Sequence, residues 1–203
     1  DAGYPDAVIS ASSDLDEYLI TSLKMQGAAI TSWGVGTKMI TSDDCPSFGG
    51  VYKLTAMQDK ETGEFIPKIK ISSNSVKITN PGNKKIYRLY GRETGKIIGD
   101  LICMEDEVYT EDQDIMLFDP NETWKQTLVE AGTFTLRELL VKVFENGYCN
   151  YESPSTMEIK DICEKELNTL WDETRRLTNP NTVYVDLSQK LYDTKQALLH
   201  QAR

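Results

Sequence analysis

Residues 8–37 read VISASSDLDEYLITSLKMQGAAITSWGVGT, and the order of patterns inside that stretch decides the fold. Val8-Ile9-Ser10-Ala11 is a short apolar strand that runs into the small polar residues Ser12-Ser13-Asp14. A helix should follow from about Asp16. Leu15, Leu19 and Leu23, with Tyr18, Ile20 and Met25 offset, make its apolar face, Ser13 or Asp14 can cap it, and Gly27 ends it. Ala28 to Trp33 is a second strand and ends in Gly34-Val35-Gly36-Thr37. Strand, helix, strand with short joints is the pattern of a right-handed parallel crossover. In such units ligands bind at the loops after the strand C-termini. A GxGT turn there offers bare backbone N–H groups and one hydroxyl, which suits a phosphate monoester. Ser13-Asp14 at the neighbouring strand end would share the same rim. A carboxylate repels phosphate but accepts hydrogen bonds from sugar hydroxyls, so the pair of strand ends describes a ribose 5-phosphate site.

Outside this stretch the patterns change. Val51 to Ala56 and Phe65 to Ser72 alternate with period two, Asn80-Pro81-Gly82 is a turn, and Lys85–Tyr90 with Lys96–Cys103 forms a hairpin across Gly91 to Gly95. Ile115 to Phe118 is one more strand. Thr135-Leu136-Arg137-Glu138 has the form of a capping box and predicts a helix through Phe144, and Ser155-Thr156-Met157-Glu158 opens the longest one. The latter carries Ile159, Ile162, Cys163, Leu167, Leu170 and Trp171 on one side, until Asn179-Pro180-Asn181 breaks it. Val183 to Val185 is extended, and Leu187 to Ala202 is a last helix. Asp1 to Asp6 reads as a helix end with Gly3 as its C-terminal glycine.

Composition limits the function. Of 203 residues, 39% are hydrophobic and 27% charged, as in soluble globular proteins, and the net charge of -10 argues against nucleic acid as a partner. No apolar run approaches the ~20 residues of a membrane span. Cys45, Cys103, Cys149 and Cys163 are too scattered for a zinc site and are expected to be reduced thiols of a cytoplasmic protein. Glu105-Asp106-Glu107 and Glu111-Asp112 are expected in solvated loop. Lys38, Lys53, Lys84, Lys85 and Arg88 are expected as surface or sheet-edge charges, and His200 as a solvent-facing helix residue. The chain opens on Asp-Ala-Gly and enters a strand at once, as the interior of a longer protein would.

The blocks ASSDLDEYLITSLKMQGAAITSWGVGTKMITS, GGVYKL, PKIKIS, KITNPGNKKIYRLY, GDLI and DLSQKLYDTKQALL, in that order, resemble the C-terminal half of bacterial nicotinate phosphoribosyltransferases. The resemblance implies transfer of ribose 5-phosphate from phosphoribosyl pyrophosphate to nicotinate, giving nicotinate mononucleotide and pyrophosphate, with ATP hydrolysis and Mg2+ as companions and a homodimer as the assembly. It implies that Gly34, Val35, Gly36 and Thr37 hold the 5-phosphate and that Ser13 and Asp14 face the ribose hydroxyls. The catalytic residues would lie N-terminal to this chain, because the family's Arg-x-Asp-Ser-Gly-Asp-Leu stretch and its phosphorylated histidine are absent here, and His200 does not replace the latter. The implied fold class is α/β: trailing strands of an irregular α/β barrel over residues 1–57, an antiparallel β-rich region over 58–134, and a helical C-terminal region over 135–203. The rival from another class is a non-catalytic phosphosugar-binding or assembly domain. A transferase using nicotinamide or quinolinate is the nearer one.

Overall fold

The computed structural model describes residues 3–201. The chain divides into two compact units, Asp1–Tyr52 and Lys53–Arg203. In the first, strand β1 (Ser10–Ser12), helix α1 (Glu17–Met25), strand β2 (Ser32–Gly34) and the short helix α2 (Thr37–Thr41) follow one another. β1 and β2 pair in parallel, Ser10 opposite Ser32 and Ser12 opposite Gly34, as the crossover pattern predicts. The strand begins later than predicted: Val8 is exposed, and the carbonyl of Ile9 accepts the amides of Thr31 and Ser32 at 3.0 and 3.2 Å.

The cap of α1 is a correction. Neither Ser13 nor Asp14 caps it; both adopt the left-handed region, with φ of 84° and 46°, and the chain reverses there before the helix can start. Asp16 is the cap, its Oδ1 accepting the Leu19 amide at 2.7 Å. Gly27, at φ 79°, closes the helix as expected. The apolar face is open: Leu15 is buried, whereas Tyr18, Leu19 and Met25 are exposed and no residue of α1 itself is buried. The helix end expected over Asp1 to Asp6 falls partly on residues 1 and 2, which lie outside the described residues; Gly3 has φ 82°.

In the second unit, β3 (Ala56–Gln58) and β4 (Phe65–Pro67) form a short antiparallel pair. The alternating runs predicted longer strands at Val51–Ala56 and Phe65–Ser72. Alternation without a partner ladder makes no strand, and the carbonyl of Thr55 is taken instead by the amides of Lys68 and Gly82 at 2.8 and 2.7 Å. The predicted hairpin is present as β5 (Lys84–Gly91) and β6 (Ile97–Met104). Its turn is shaped by Gly95 at φ 63°. β7 (Ile115–Phe118) matches its prediction and pairs with β8 (Gln126–Val129), which the sequence reading missed. β9 (Phe134–Glu138) stands where a helix was predicted, and β10 (Phe144–Glu145) and β11 (Tyr148–Cys149) form a small hairpin after it. α3 (Thr156–Thr169) has both bonds of the predicted capping box between Ser155 and Glu158. α4 (Asp172–Arg175), β12 (Val185–Leu187) and α5 (Gln189–Gln201) complete the chain. The last helix starts two residues after its predicted start, because Leu187 belongs to β12, and His200 is exposed on it.

The correction at β9 has a physical cause. FTLRE alternates, and it pairs antiparallel with β5 from Tyr87 opposite Glu138 to Gly91 opposite Phe134. Phe134, fully buried, joins Leu89, Leu101, Ile115, Leu117 and Val129 in the main core. A capping box is a local preference worth about 1 kcal/mol. Burial of a phenylalanine and a five-residue ladder outweigh it.

The largest sheet has the order β12-β6-β5-β9. β12 runs parallel to β6, so this region is not purely antiparallel. Met104, Leu187 and Leu191 form a second small core beneath α5. The fold is mixed α/β with five separate sheets, and among the described residues none closes into a barrel. No helix is long and apolar enough to cross a membrane among those residues.

Candidate functional site

The parallel pair of the first unit sets both candidate loops at one end. Gly34 packs closely there: a Cβ would stand 3.2 Å from that of Ser12, a tight contact, and 3.7 Å from the carbonyl oxygen of Ala11. Gly36 has open space where a Cβ would be, so nothing crowds its backbone. It precedes α2, whose first hydrogen-bonded amides are those of Met39 and Ile40, both reaching the Gly36 carbonyl at 3.1 Å. The N–H groups of Thr37 and Lys38 come before them and have no partner within the helix.

Across from this turn, Ser13 and Asp14 hold left-handed conformations that cost a non-glycine residue on the order of 1–3 kcal/mol. Two such residues in a row turn the chain between β1 and α1. Ser13, Asp14, Gly34, Gly36 and Thr37 line one cleft of about 220 Å³, together with Leu15 and Lys38. Five of the six residues singled out from sequence are thus brought together. Val35 is not among the lining residues.

Lys38 is not the free surface charge that was expected. Its Nζ lies 2.7 Å from Oδ2 of Asp16, while Oδ1 of the same carboxylate caps α1. The Lys38 ammonium holds the Asp16 carboxyl below the usual carboxylate range, with the Leu19 amide adding to it, and Asp16 in turn pushes the lysine up. One side chain therefore ties the loop after β1 to the turn after β2. Sequence reasoning missed it; the available signal was an aspartate three positions before the first helical amide that needs a cap. A second cleft of about 210 Å³ shares Lys38 and is lined also by Asp16, Glu17, Met39, Ser42 to Asp44 and Cys45.

Other charges also depart from expectation. Arg88 makes a bidentate pair with the buried Asp100, at 2.7 and 2.8 Å, and Lys85 is buried. Glu107, expected in solvated loop, accepts the Met104 amide, the Ser188 hydroxyl and the Tyr109 hydroxyl at 2.7, 2.7 and 3.0 Å. Glu111 accepts the Leu136 amide at 3.1 Å and pairs with Arg92. These acidic residues pin loops to the sheet, as loop carboxylates do when backbone amides are in reach. All four cysteines are free thiols, and burial raises the Cys103 thiol to about 12.

The chain is similar to known proteins along its whole length. Residues 83–195 match a family model described as the nicotinate phosphoribosyltransferase C-terminal domain. A nicotinate phosphoribosyltransferase of Bacillus subtilis is 39% identical over the whole chain, and the chain spans 41% of its length. One of Caenorhabditis elegans is 37% identical over 91% of the chain and 32% of its own length. A crystal structure of human nicotinic acid phosphoribosyltransferase superposes with a TM-score of 0.65 over 95% of this chain and 33% of that one, at 24% identity, a likeness of fold. The chain therefore spans between about a third and two fifths of these relatives, and the strand-end cleft lies before the segment matched by the family model but inside the match to the Bacillus protein. By the matched domain, which covers more than half of its residues, the chain belongs to the nicotinate phosphoribosyltransferase family.

Proposed function

We propose that this chain is the C-terminal part of an enzyme that transfers ribose 5-phosphate from phosphoribosyl pyrophosphate to nicotinate, with coupled ATP hydrolysis, in NAD biosynthesis. In this reading β1, α1 and β2 are the trailing crossover of an α/β barrel, and the strand-end cleft holds the ribose 5-phosphate. The observation that carries it is the meeting of Ser13, Asp14, Gly34, Gly36 and Thr37 in one cleft at the C-terminal ends of two parallel strands. The amides of Thr37 and Lys38 and the Thr37 hydroxyl donate to the phosphate. Asp14 accepts from ribose hydroxyls, and Ser13 can donate or accept beside it. Asp16 holds Lys38 at the cleft while balancing its charge, so the lysine adds a donor without a strong bare field.

These groups position one end of the substrate, and positioning is a large share of a two-substrate reaction. They do not stabilise the charge that builds on departing pyrophosphate, which needs cations near the leaving group. Among the described residues there is no group of three side chains fit to hold a metal ion. Mg2+ would enter with the pyrophosphate, and no step of this chain's chemistry is assigned to it. ATP likewise has no residue here.

Nicotinate mononucleotide formation, measured for the full-length protein and for residues 1–203 with nicotinate, phosphoribosyl pyrophosphate, ATP and Mg2+, tests the reading. Full-length protein should turn over and the 203-residue chain should not. Robust turnover by the chain would show that the leaving-group machinery is within it. No turnover by the full-length protein would leave a non-catalytic phosphosugar domain as the better description.

A further inference from the structure

Asp186, in the middle of β12, is 6% exposed, and no hydrogen bond from the described residues reaches its carboxylate. Burial raises its pKa, and the charge of Asp119 raises it further. The side chain is largely buried, yet its oxygens are not sealed from solvent and open onto a cavity. It borders a cavity of about 310 Å³ that Asp119 also lines, with Ile98, Leu117 and Tyr184 among the walls. Asp119 turns Oδ1 to the amides of Asn121 and Glu122, at 2.7 and 3.2 Å, which leaves Oδ2 available. The lysine at the same cavity, Lys125, is engaged by Glu122 and sits 5.1 Å from the centre of the Trp124 ring. Two carboxylates thus line one cavity against a single lysine, Lys125, whose charge acts on Asp119 as well as on Glu122, while Asp186 has no such counter-charge.

We propose that this cavity is a binding site for an organic cation with an aliphatic stem, a guanidinium or ammonium head seated on Asp186 and Asp119 and the stem against Ile98, Leu117 and Tyr184. A divalent metal ion fits poorly. It needs more oxygen ligands than two carboxylates supply, and no cluster of three ligating side chains exists among the described residues. A planar guanidinium matches two carboxylate acceptors, and apolar walls suit its methylene stem. The head can come from a free small molecule or from a basic side chain elsewhere in a full-length protein. This site is independent of the ribose 5-phosphate cleft.

Butylguanidinium is the probe, followed by amide chemical shifts of the isotope-labelled 203-residue chain. Saturable shifts are expected around Asp119, Thr127 and Asp186, absent with butanol and at least tenfold weaker in affinity for Asp186→Asn. Asp119→Asn gives the same comparison at a more accessible position should Asp186→Asn unfold, and Lys125→Met should bind at least as well as the parent. No saturable shift, equal shifts with butanol, the same shifts with Mg2+ alone, or indifference to both aspartate variants would each overturn the proposal. Repeating the titration in the full-length protein separates the sources. Binding there identifies a free ligand. A closed site in which Asp186→Asn lowers the melting temperature more than it does in the 203-residue chain identifies an internal basic side chain. A closed site with no such difference contradicts the assignment.

Discussion

Asp16 works through both of its carboxylate oxygens, capping α1 with one and holding Lys38 with the other. Its ionised form is therefore favoured in the folded chain, and its pKa lies below the unfolded value. The sign follows from linkage: the stabilisation is fully present above the unfolded pKa, near 4, and is lost as pH falls through the lower folded value. Asp16→Asn should lower the melting temperature at neutral pH and flatten the acid limb below about pH 4, so that variant and parent converge as the pH falls. An unchanged acid limb would mean that the pair carries no stability. Asp14 shows the opposite case, a residue whose backbone is held in a costly conformation with no cap to justify it. It stood out as a candidate from its place at a strand end, whereas Asp16 was passed over because Ser13 and Asp14 fit a cap by residue type. Capping preference names the residue types but not the point where the chain turns.

At the scale of elements, strands with clear alternation beside a turn signal were legible, and β8, β9 and the β10–β11 hairpin were not. β5 and β6 are joined by a five-residue turn, and both could be read from alternation. β9 pairs with β5 more than forty residues away in sequence, and its local signal was a capping box instead. Phe134→Ala should cost about 3–5 kcal/mol in chemical unfolding, as truncation of a fully buried aromatic does. A loss below about 1 kcal/mol would contradict the placement of β9 in the core. The capping box at Ser155 is real, with the Glu158 carboxylate accepting the Ser155 amide at 2.7 Å. Ser155→Ala should cost about 1 kcal/mol and speed hydrogen exchange in the first turn of α3, with the sheet β12-β6-β5-β9 unaffected. Slowed or unchanged exchange there would argue that packing alone holds the helix. That alternative has little to work with, since no residue of α3 is buried.

For the whole molecule, the crossover of the first unit stands without cover on its apolar faces. Parallel strands ordinarily have both faces covered, whereas Val8, Ile9, Tyr18, Leu19 and Met25 are exposed here. The chain also spans 41% of its Bacillus relative. The proposed whole is an enzyme in which this chain supplies the ribose 5-phosphate end of the site. Residue chemistry alone made the two strand ends a ribose 5-phosphate candidate, and the resemblance implies the same division between them. The clasp between them, Asp16 with Lys38, required coordinates because its partners are 22 positions apart. The affinity of the full-length protein for phosphoribosyl pyrophosphate, compared among parent, Thr37→Ala and Gly36→Asp, tests the central claim most directly. Loss of one hydrogen bond to a charged group predicts about tenfold or more weakening for Thr37→Ala, and Gly36→Asp, which adds like charge beside the phosphate, should weaken binding further. Unchanged affinity in both variants would place the 5-phosphate somewhere other than the cleft between Ser13 and Thr37.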